Sequence, residues 1–348
     1  MTGNKPSIPI GQSLVFLWSL LTLLAAFILI CSGGLVTSKE AGMTVPDWPN
    51  TYGYNMFLFP ISRWVGGVFY EHSHRLIASG VGLMTMILAG WLLVVERRLW
   101  VKVLGTAAFF AVCIQGVLGG LRVTLHMNEL GIFHALLAQS FFCALAILTL
   151  AESPPFLAGT WDLLAPDKPL RKLVLALTAL IFIQLGIAST MRHEHAGLAI
   201  PDFPLAYGSV LPDTSESALS TINARRAAGG QALTTAFQIW LQMAHRIVAV
   251  LILAGVSAAA WRTSGSSHHR HVRRCCRVWL AMILIQIGLG AWTIWSNKAA
   301  DVATAHVAIG ALTLLLGVML SFRLIRGGQP GRFSIPDLVA ADLVSRSV

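Results

Sequence analysis

Ala41-Gly42-Met43-Thr44-Val45-Pro46-Asp47-Trp48-Pro49 returns 155 positions later as Ala196-Gly197-Leu198-Ala199-Ile200-Pro201-Asp202-Phe203-Pro204. Both stretches run on into Tyr-Gly, at Tyr52-Gly53 and Tyr207-Gly208. A second pair, Gln115-Gly116-Val117-Leu118-Gly119-Gly120 and Gln286-Ile287-Gly288-Leu289-Gly290-Ala291, repeats at an offset of 171. The offsets differ by 16, so the second copy carries an insertion of that size within 209–236. The chain therefore reads as a tandem duplication.

The medium around the two copies follows from composition. Of 348 residues, 55% are hydrophobic and 11% charged, and mean hydropathy is +0.70. A soluble domain carries about 25% charged residues, so this is a membrane chain. Apolar stretches of roughly 20 residues, enough to cross the hydrocarbon core, are expected near 14–34, 72–94, 103–121, 131–150, 172–190, 237–260, 278–296 and 303–323. The first reads as a retained span, since no clear small-residue cleavage site precedes the next loop. The expected fold is all-α. Eight transmembrane helices form two tandem four-helix bundles, parallel-related because each copy has an even number of spans. The bundles are placed at 1–150 and 172–326, with a linker at 151–171 and a tail at 327–348. Pro154, Pro155, Pro166 and Pro169 suit the linker. The Pro-Asp-aromatic-Pro loops, too polar for lipid, are expected to cap the outer ends.

The net charge of +10 is mostly a topology signal, with anionic lipid rather than nucleic acid as its partner. Sixteen Lys and Arg, among them Lys5, Arg97, Lys168, Arg270 and Arg323, fall on one set of loops; seven, including Lys39, Arg122 and Arg225, fall on the other. The excess of positive charge places both termini in the cytoplasm. Cys31, Cys113 and Cys143 lie in spans and Cys275-Cys276 in an expected cytoplasmic loop, so no outer disulfide is expected and all five read as structural or incidental.

Ionisable residues inside a membrane are costly and mark function. His74 and His134 lie 60 residues apart, His245 and His306 61 apart, and each opens a span that runs inward. One pair per copy, at matched depth, fits iron held between facing helices of a bundle. Neither pair offers the third and fourth ligands that zinc or copper would need. Gly119, Gly120, Gly288 and Gly290 are read as room for a bulky ring. Arg75 and Arg246 follow their histidines and would either pair with carboxylates or snorkel to headgroups. Glu71 lies one turn before His74 where the second copy has Gln242; it either relays protons beside the iron or merely pairs with Arg75. The remaining histidines, His72, His126, His193, His195, His268, His269 and His271, are expected to be solvated. The His193-Glu194-His195 cluster is a weak metal candidate.

These features resemble the heme A synthase family. The likeness covers roughly 14–323. It rests on the eight spans, Glu71-His72-Ser73-His74-Arg75, His134, His245-Arg246, His306, and Gly34–Thr37 leading into Pro46-Asp47-Trp48-Pro49. The resemblance implies an oxidoreductase of the bacterial inner membrane that converts the C8 methyl of haem O to formyl through two hydroxylations and loss of water from a gem-diol. It implies haem O between His74 and His134 with Arg75, Glu71 as the catalytic carboxylate, and a resident haem b, with its iron, on His245 and His306 with Arg246. Implied partners are a haem O synthase (a farnesyltransferase) and oxidase assembly factors; the electron acceptor stays open and a homo-oligomer is admitted. A cysteine pair found in the first outer loop of some relatives is absent here between Lys39 and Tyr70. The competing readings are a diheme b-type quinol oxidoreductase and a transporter with duplicated halves.

Overall fold

A computed structural model describes residues 10–127, 129–158, 168–265 and 270–326. Its helices are α1 (Ile10–Ser38), α2 (Gly67–Val95), α3 (Leu99–Thr124), α4 (Glu129–Ala151), α5 (Pro154–Leu157), α6 (Lys168–His193), α7 (Glu216–Ala228), α8 (Ala236–Arg262), α9 (Arg270–Trp295) and α10 (Ala300–Arg326). Eight of them, all except α5 and α7, are long and apolar enough to cross a membrane. At 1.5 Å per residue, 23 residues already exceed a hydrocarbon core of about 30 Å.

The spans are longer than hydropathy alone suggests. Arg270, Arg273, Arg274 and Arg277, expected in a loop, form the first two turns of α9, and Cys275 and Cys276 lie there too. Hydropathy undercounts such turns because charged side chains at a helix end reach out to water while the backbone stays helical. The linker shortens likewise. Pro154 and Pro155 open α5; Pro169 sits in the first turn of α6, where a missing N–H costs nothing. Pro166 and the tail at 327–348 lie outside the described residues.

Burial follows the logic of lipid rather than water. On α1, Leu14, Leu17, Leu21, Leu24 and Ile28 point outward, while Ser19 and Thr22 are buried with Val15 and Ala26. The hydroxyls bond within their own helix, to Phe16 O at 2.8 Å and Trp18 O at 2.8 Å, so helices pack closely without stranding a polar group. In the first half, α1 packs on α2 and α4, and α3 packs on α2 and α4; in the second, α6 packs on α8 and α10, and α9 on α8 and α10. The halves meet through α1 on α10, α4 on α6 and α4 on α10. Thus α1, α4, α6 and α10 form the inner seam, and α2, α3, α8 and α9 lie outside it. At the end carrying the termini, Arg98 ties the α2–α3 turn to α4: it bonds Ala151 O at 2.9 Å, Glu152 Oε1 at 2.6 Å and Glu96.

At the other end, two loops fold alike. Asp47 accepts from Tyr52 N and Gly53 N, each at 2.7 Å; Asp202 accepts from Tyr207 N at 2.8 Å and Gly208 N at 2.9 Å. The hydroxyls of Tyr52 and Tyr207 bond back to Thr44 O and Ala199 O. The Trp48–Pro49 and Phe203–Pro204 bonds are cis. Asp, aromatic and Gly recur because each has a job in the turn: the carboxylate collects adjacent N–H groups, and Gly53 and Gly208 take φ of 77° and 81°. The segment 209–236 holds α7, capped by Ser215, and it is tied down rather than free. Arg226 donates to Leu198 O at 3.0 Å, and Asn223 exchanges two bonds with Thr234.

Candidate functional site

Each paired histidine projects from the first turns of a span at the loop end, opposite the termini. His74 on α2 and His245 on α8 come from outer helices, His134 on α4 and His306 on α10 from the seam. A neighbouring helix sets each one. Gln115 Nε2 donates to His134 O at 3.0 Å, Gln286 Nε2 to His306 O at 3.0 Å, and Gln184 Nε2 to His245 O at 2.8 Å. The hydroxyl of Ser32 faces His74 Nδ1 at 3.3 Å. Glycines let the rings in. A Cβ on Gly33 would lie 3.1 Å from His74 Cε1, one on Gly119 3.3 Å from His134 Cε1, and one on Gly290 3.4 Å from His306 Cε1. Gly119 and Gly290 therefore act as expected of small residues, although what they admit is an imidazole. Gly120 is filled by the Trp48 indole, and Gly288 has nothing within 4 Å.

The ring centroids of His245 and His306 stand 6.5 Å apart. Two imidazoles on opposite faces of one metal, each bonded at about 2.0 Å, place their centroids roughly 6 Å apart. The spacing fits iron between them. Nδ1 of His134, His245 and His306 is buried with no hydrogen-bond partner, so bonds within the protein leave these ring nitrogens unoccupied. Among the described residues no three His, Cys, Asp or Glu gather as a metal cluster. Two imidazoles suit a metal whose other ligands come from a macrocycle.

Glu71 and Gln242 occupy equivalent places, 4% and 3% exposed. Glu71 Oε2 accepts from Val45 N at 2.8 Å; Gln242 Oε1 accepts from Ile200 N at 2.6 Å. Both hold their loop down. Glu71 differs in charge, and its Oε1 pairs with Arg75 Nη2 at 2.7 Å. Arg75 is otherwise spent on loop carbonyls, those of Val45 at 3.0 Å, Asp47 at 2.6 Å and Asn50 at 3.1 Å. Arg246 bonds Asp202 O and Leu205 O, each at 2.8 Å. Both arginines thus clamp the caps in this structure through loop carbonyls, which the sequence did not announce; the Arg75–Glu71 pair is the one it offered as the alternative role of Glu71.

A family model described as cytochrome oxidase assembly protein matches residues 16–318. The chain belongs to this family. Among its curated relatives, a heme A synthase of Geobacillus kaustophilus is 26% identical over 325 residues, covering 88% of this chain and 90% of the relative. A heme A synthase of Nitrosomonas eutropha is 24% identical, covering 88% and 92%, and one of Staphylococcus haemolyticus is 24% identical, covering 90% and 97%.

Within this family member, the structure corrects one histidine outright. His72, expected in solvent, is 0% exposed. Its Nδ1 meets Thr51 Oγ1 at 3.1 Å, and its ring packs between Phe59 and Trp64. It does point away from His74, but toward the first cap rather than water. His193 is half-buried, lying where a Cβ on Gly131 would collide with it; His126, His195 and His271 are exposed. His268 and His269 lie outside the described residues. Sequence reasoning missed Ser32, Gln115, Gln184 and Gln286 as supports. The recurrence of Gln115 and Gln286 was visible as a repeat, without a role. Arg122 was also missed: its charge is felt by Glu71, His74 and His134.

Proposed function

We propose that this chain is a heme A synthase: it takes haem O as substrate and oxidises its C8 methyl group to formyl. The overall change is R–CH3 + H2O → R–CHO + 4H⁺ + 4e⁻, so the site must lose four protons and pass four electrons to an acceptor. Two successive hydroxylations followed by loss of water from the gem-diol satisfy that balance. The observation that carries the reading is the His245–His306 separation, suited to a bis-imidazole iron, in a chain of this family.

We assign the substrate to the first half, residues 1–150, between His74 and His134, and a resident haem b to the second half, residues 172–326, between His245 and His306. The stretch 151–171 joins them. When bound, haem b supplies a one-electron carrier close to the substrate. The chain's own residues do the rest. His74 with His134, and His245 with His306, would hold a haem by its iron, and the capping loops would keep bulk water from the first site. Glu71 supplies the one acidic difference between the halves. Its carboxylate, held by Val45 N and Arg75, is the group in the first site able to accept protons from the reacting carbon or to stabilise positive charge there. Gln242 holds the second loop in the same way and can do neither.

As a multi-pass membrane protein whose basic residues crowd the loops and helix ends on the termini side, the chain sits in the bacterial cytoplasmic membrane with both termini inside and its histidines toward the outer face. Haem O then arrives from a haem O synthase within the same membrane, and the product passes to the oxidase assembly machinery. The test is to purify the protein from cells that make haem O and extract its pigments. Haem b together with haem O or haem A is expected. Haem b alone, with no haem A produced on expression, overturns the proposal and leaves a diheme electron carrier.

A further inference from the structure

Arg122 ends the inward face of α3, three residues and one turn beyond Gly119, the glycine that admits the His134 ring. Its guanidinium lies among two glycines and a histidine of the other half. A Cβ on Gly42 would stand 2.9 Å from Nη1, and one on Gly131, where His193 also packs, 3.1 Å from Nε. Nε is buried with no hydrogen-bond partner. Among the described residues no carboxylate forms an ion pair with it. Glu71, the carboxylate whose field it feels, has both oxygens taken by Val45 N and Arg75. A cation held inside a membrane protein without a counter-ion is costly; an anion arriving with a ligand removes that cost.

The ligand already assigned to this half brings such an anion. Resting on the proposed heme A synthase reading, we propose that Arg122 is the positioning residue that anchors a propionate carboxylate of haem O in the first half. A guanidinium presents parallel N–H groups to a carboxylate. One such bond, added to His74 and His134 on the iron, would restrict rotation of the bound haem and so decide which methyl is presented to Glu71. Arg75, the obvious candidate from sequence, has all four of its terminal N–H bonds committed to Glu71 and three loop carbonyls. The second half has Thr293 at the position of Arg122. Its own buried arginine comes from another helix: Arg192 of α6, which donates to Ser38 Oγ at 2.9 Å and acts electrostatically on His306. The two halves therefore draw their buried arginines from different spans, the first from its third and the second from its first.

The test is optical titration of the purified protein, in detergent with the haem it retains, using haem O and haem O whose two propionates are methyl-esterified. Wild type is expected to bind the diacid roughly 10- to 100-fold more tightly than the diester, the range for one charged hydrogen bond. Arg122→Gln should lose that preference while keeping its retained haem, and Arg122→Lys should recover part of it. In turnover, Arg122→Gln should raise KM and also release oxidation products at other methyls, which a merely structural arginine would not cause. Equal affinity of wild type for diacid and diester overturns the anchor irrespective of any variant. So does an Arg122→Gln protein that keeps both the diacid preference and the single product. If wild type binds haem O with the diacid preference yet makes no haem A, the synthase reading fails while the anchor stands.

Discussion

Glu71 and Gln242 differ by one oxygen for one amide nitrogen, and the structure makes that exchange an internal control. Each accepts from the backbone of its cap, Val45 N or Ile200 N. Glu71→Gln should therefore keep the bond to Val45 N, as Gln242 keeps the one to Ile200 N, while giving up the pair with Arg75. What it loses is charge and basicity. We expect haem retention close to wild type, with haem A formation reduced by about 100-fold or more, the usual worth of a positioned acid–base group. Pigment extraction from cells expressing the variant measures both. Unchanged haem A yield would make Glu71 a loop clamp and nothing more. His72 shows the opposite limit of residue-scale reading. Its burial depends on Phe59 and Trp64, which arrive from an irregular loop with no periodicity to announce it.

At the scale of elements, the histidine positions are built by what faces them. A Cβ on Gly290 would meet His306 Cε1 at 3.4 Å, ordinary contact distance, so Gly290→Ala should be tolerated. A branched chain there has nowhere to go but into the ring; Gly290→Leu is expected to lose the haem of the second half while the first half still takes up haem O. Haem-to-protein ratios of the two variants decide it, and equal full loading would show that the imidazole has room to move. The caps carry a second element-scale expectation. Asp202→Ala removes the acceptor shared by Tyr207 N and the solvent-exposed Gly208 N, and should open the 201–208 loop to limited proteolysis. Much of this was legible beforehand: duplication exposed the histidine pairs and caps because both copies keep the same constraints. The helix ends were not, since Arg270 to Arg277 look like loop by hydropathy yet continue α9. Nor was Arg122, which counts as topology charge until the fold brings Gly42 and Gly131 beside it.

Across the whole molecule, polar chemistry is divided between two ends. The loop end carries the histidines; the termini end carries a knot in which Arg98 joins Glu96 and Glu152. Two carboxylates around one guanidinium leave one negative charge in excess, and burial decides which oxygen holds the proton. Burial, followed by the bond with Glu96, pushes the Glu152 carboxyl up to about 8, while hydrogen bonds from Arg98 and Glu152 outweigh burial and hold Glu96 down at about 2. The signs are opposite. Raised above its unfolded value of 4.5, Glu152 binds its proton more tightly in the folded state, so its contribution is full below pH 4.5 and is lost as pH rises to about 8. Glu96, lowered, contributes fully above 4.5 and loses that contribution only as pH falls toward 2. Of the two carboxyls, Glu152 alone sets the slope above about pH 5, and above about pH 6.5, where histidines of the unfolded chain no longer take up protons, they do not mask it. Melting temperature in detergent should therefore decline between about pH 6.5 and 8 in wild type, and Glu152→Gln, which keeps an oxygen for Arg98 but has no proton to lose, should flatten the decline. Because the knot joins the α2–α3 turn to α4, whose far ends carry His74 and His134, the same window should loosen substrate binding in wild type. A Glu152→Gln protein whose melting temperature still falls as steeply would place the titrating group elsewhere.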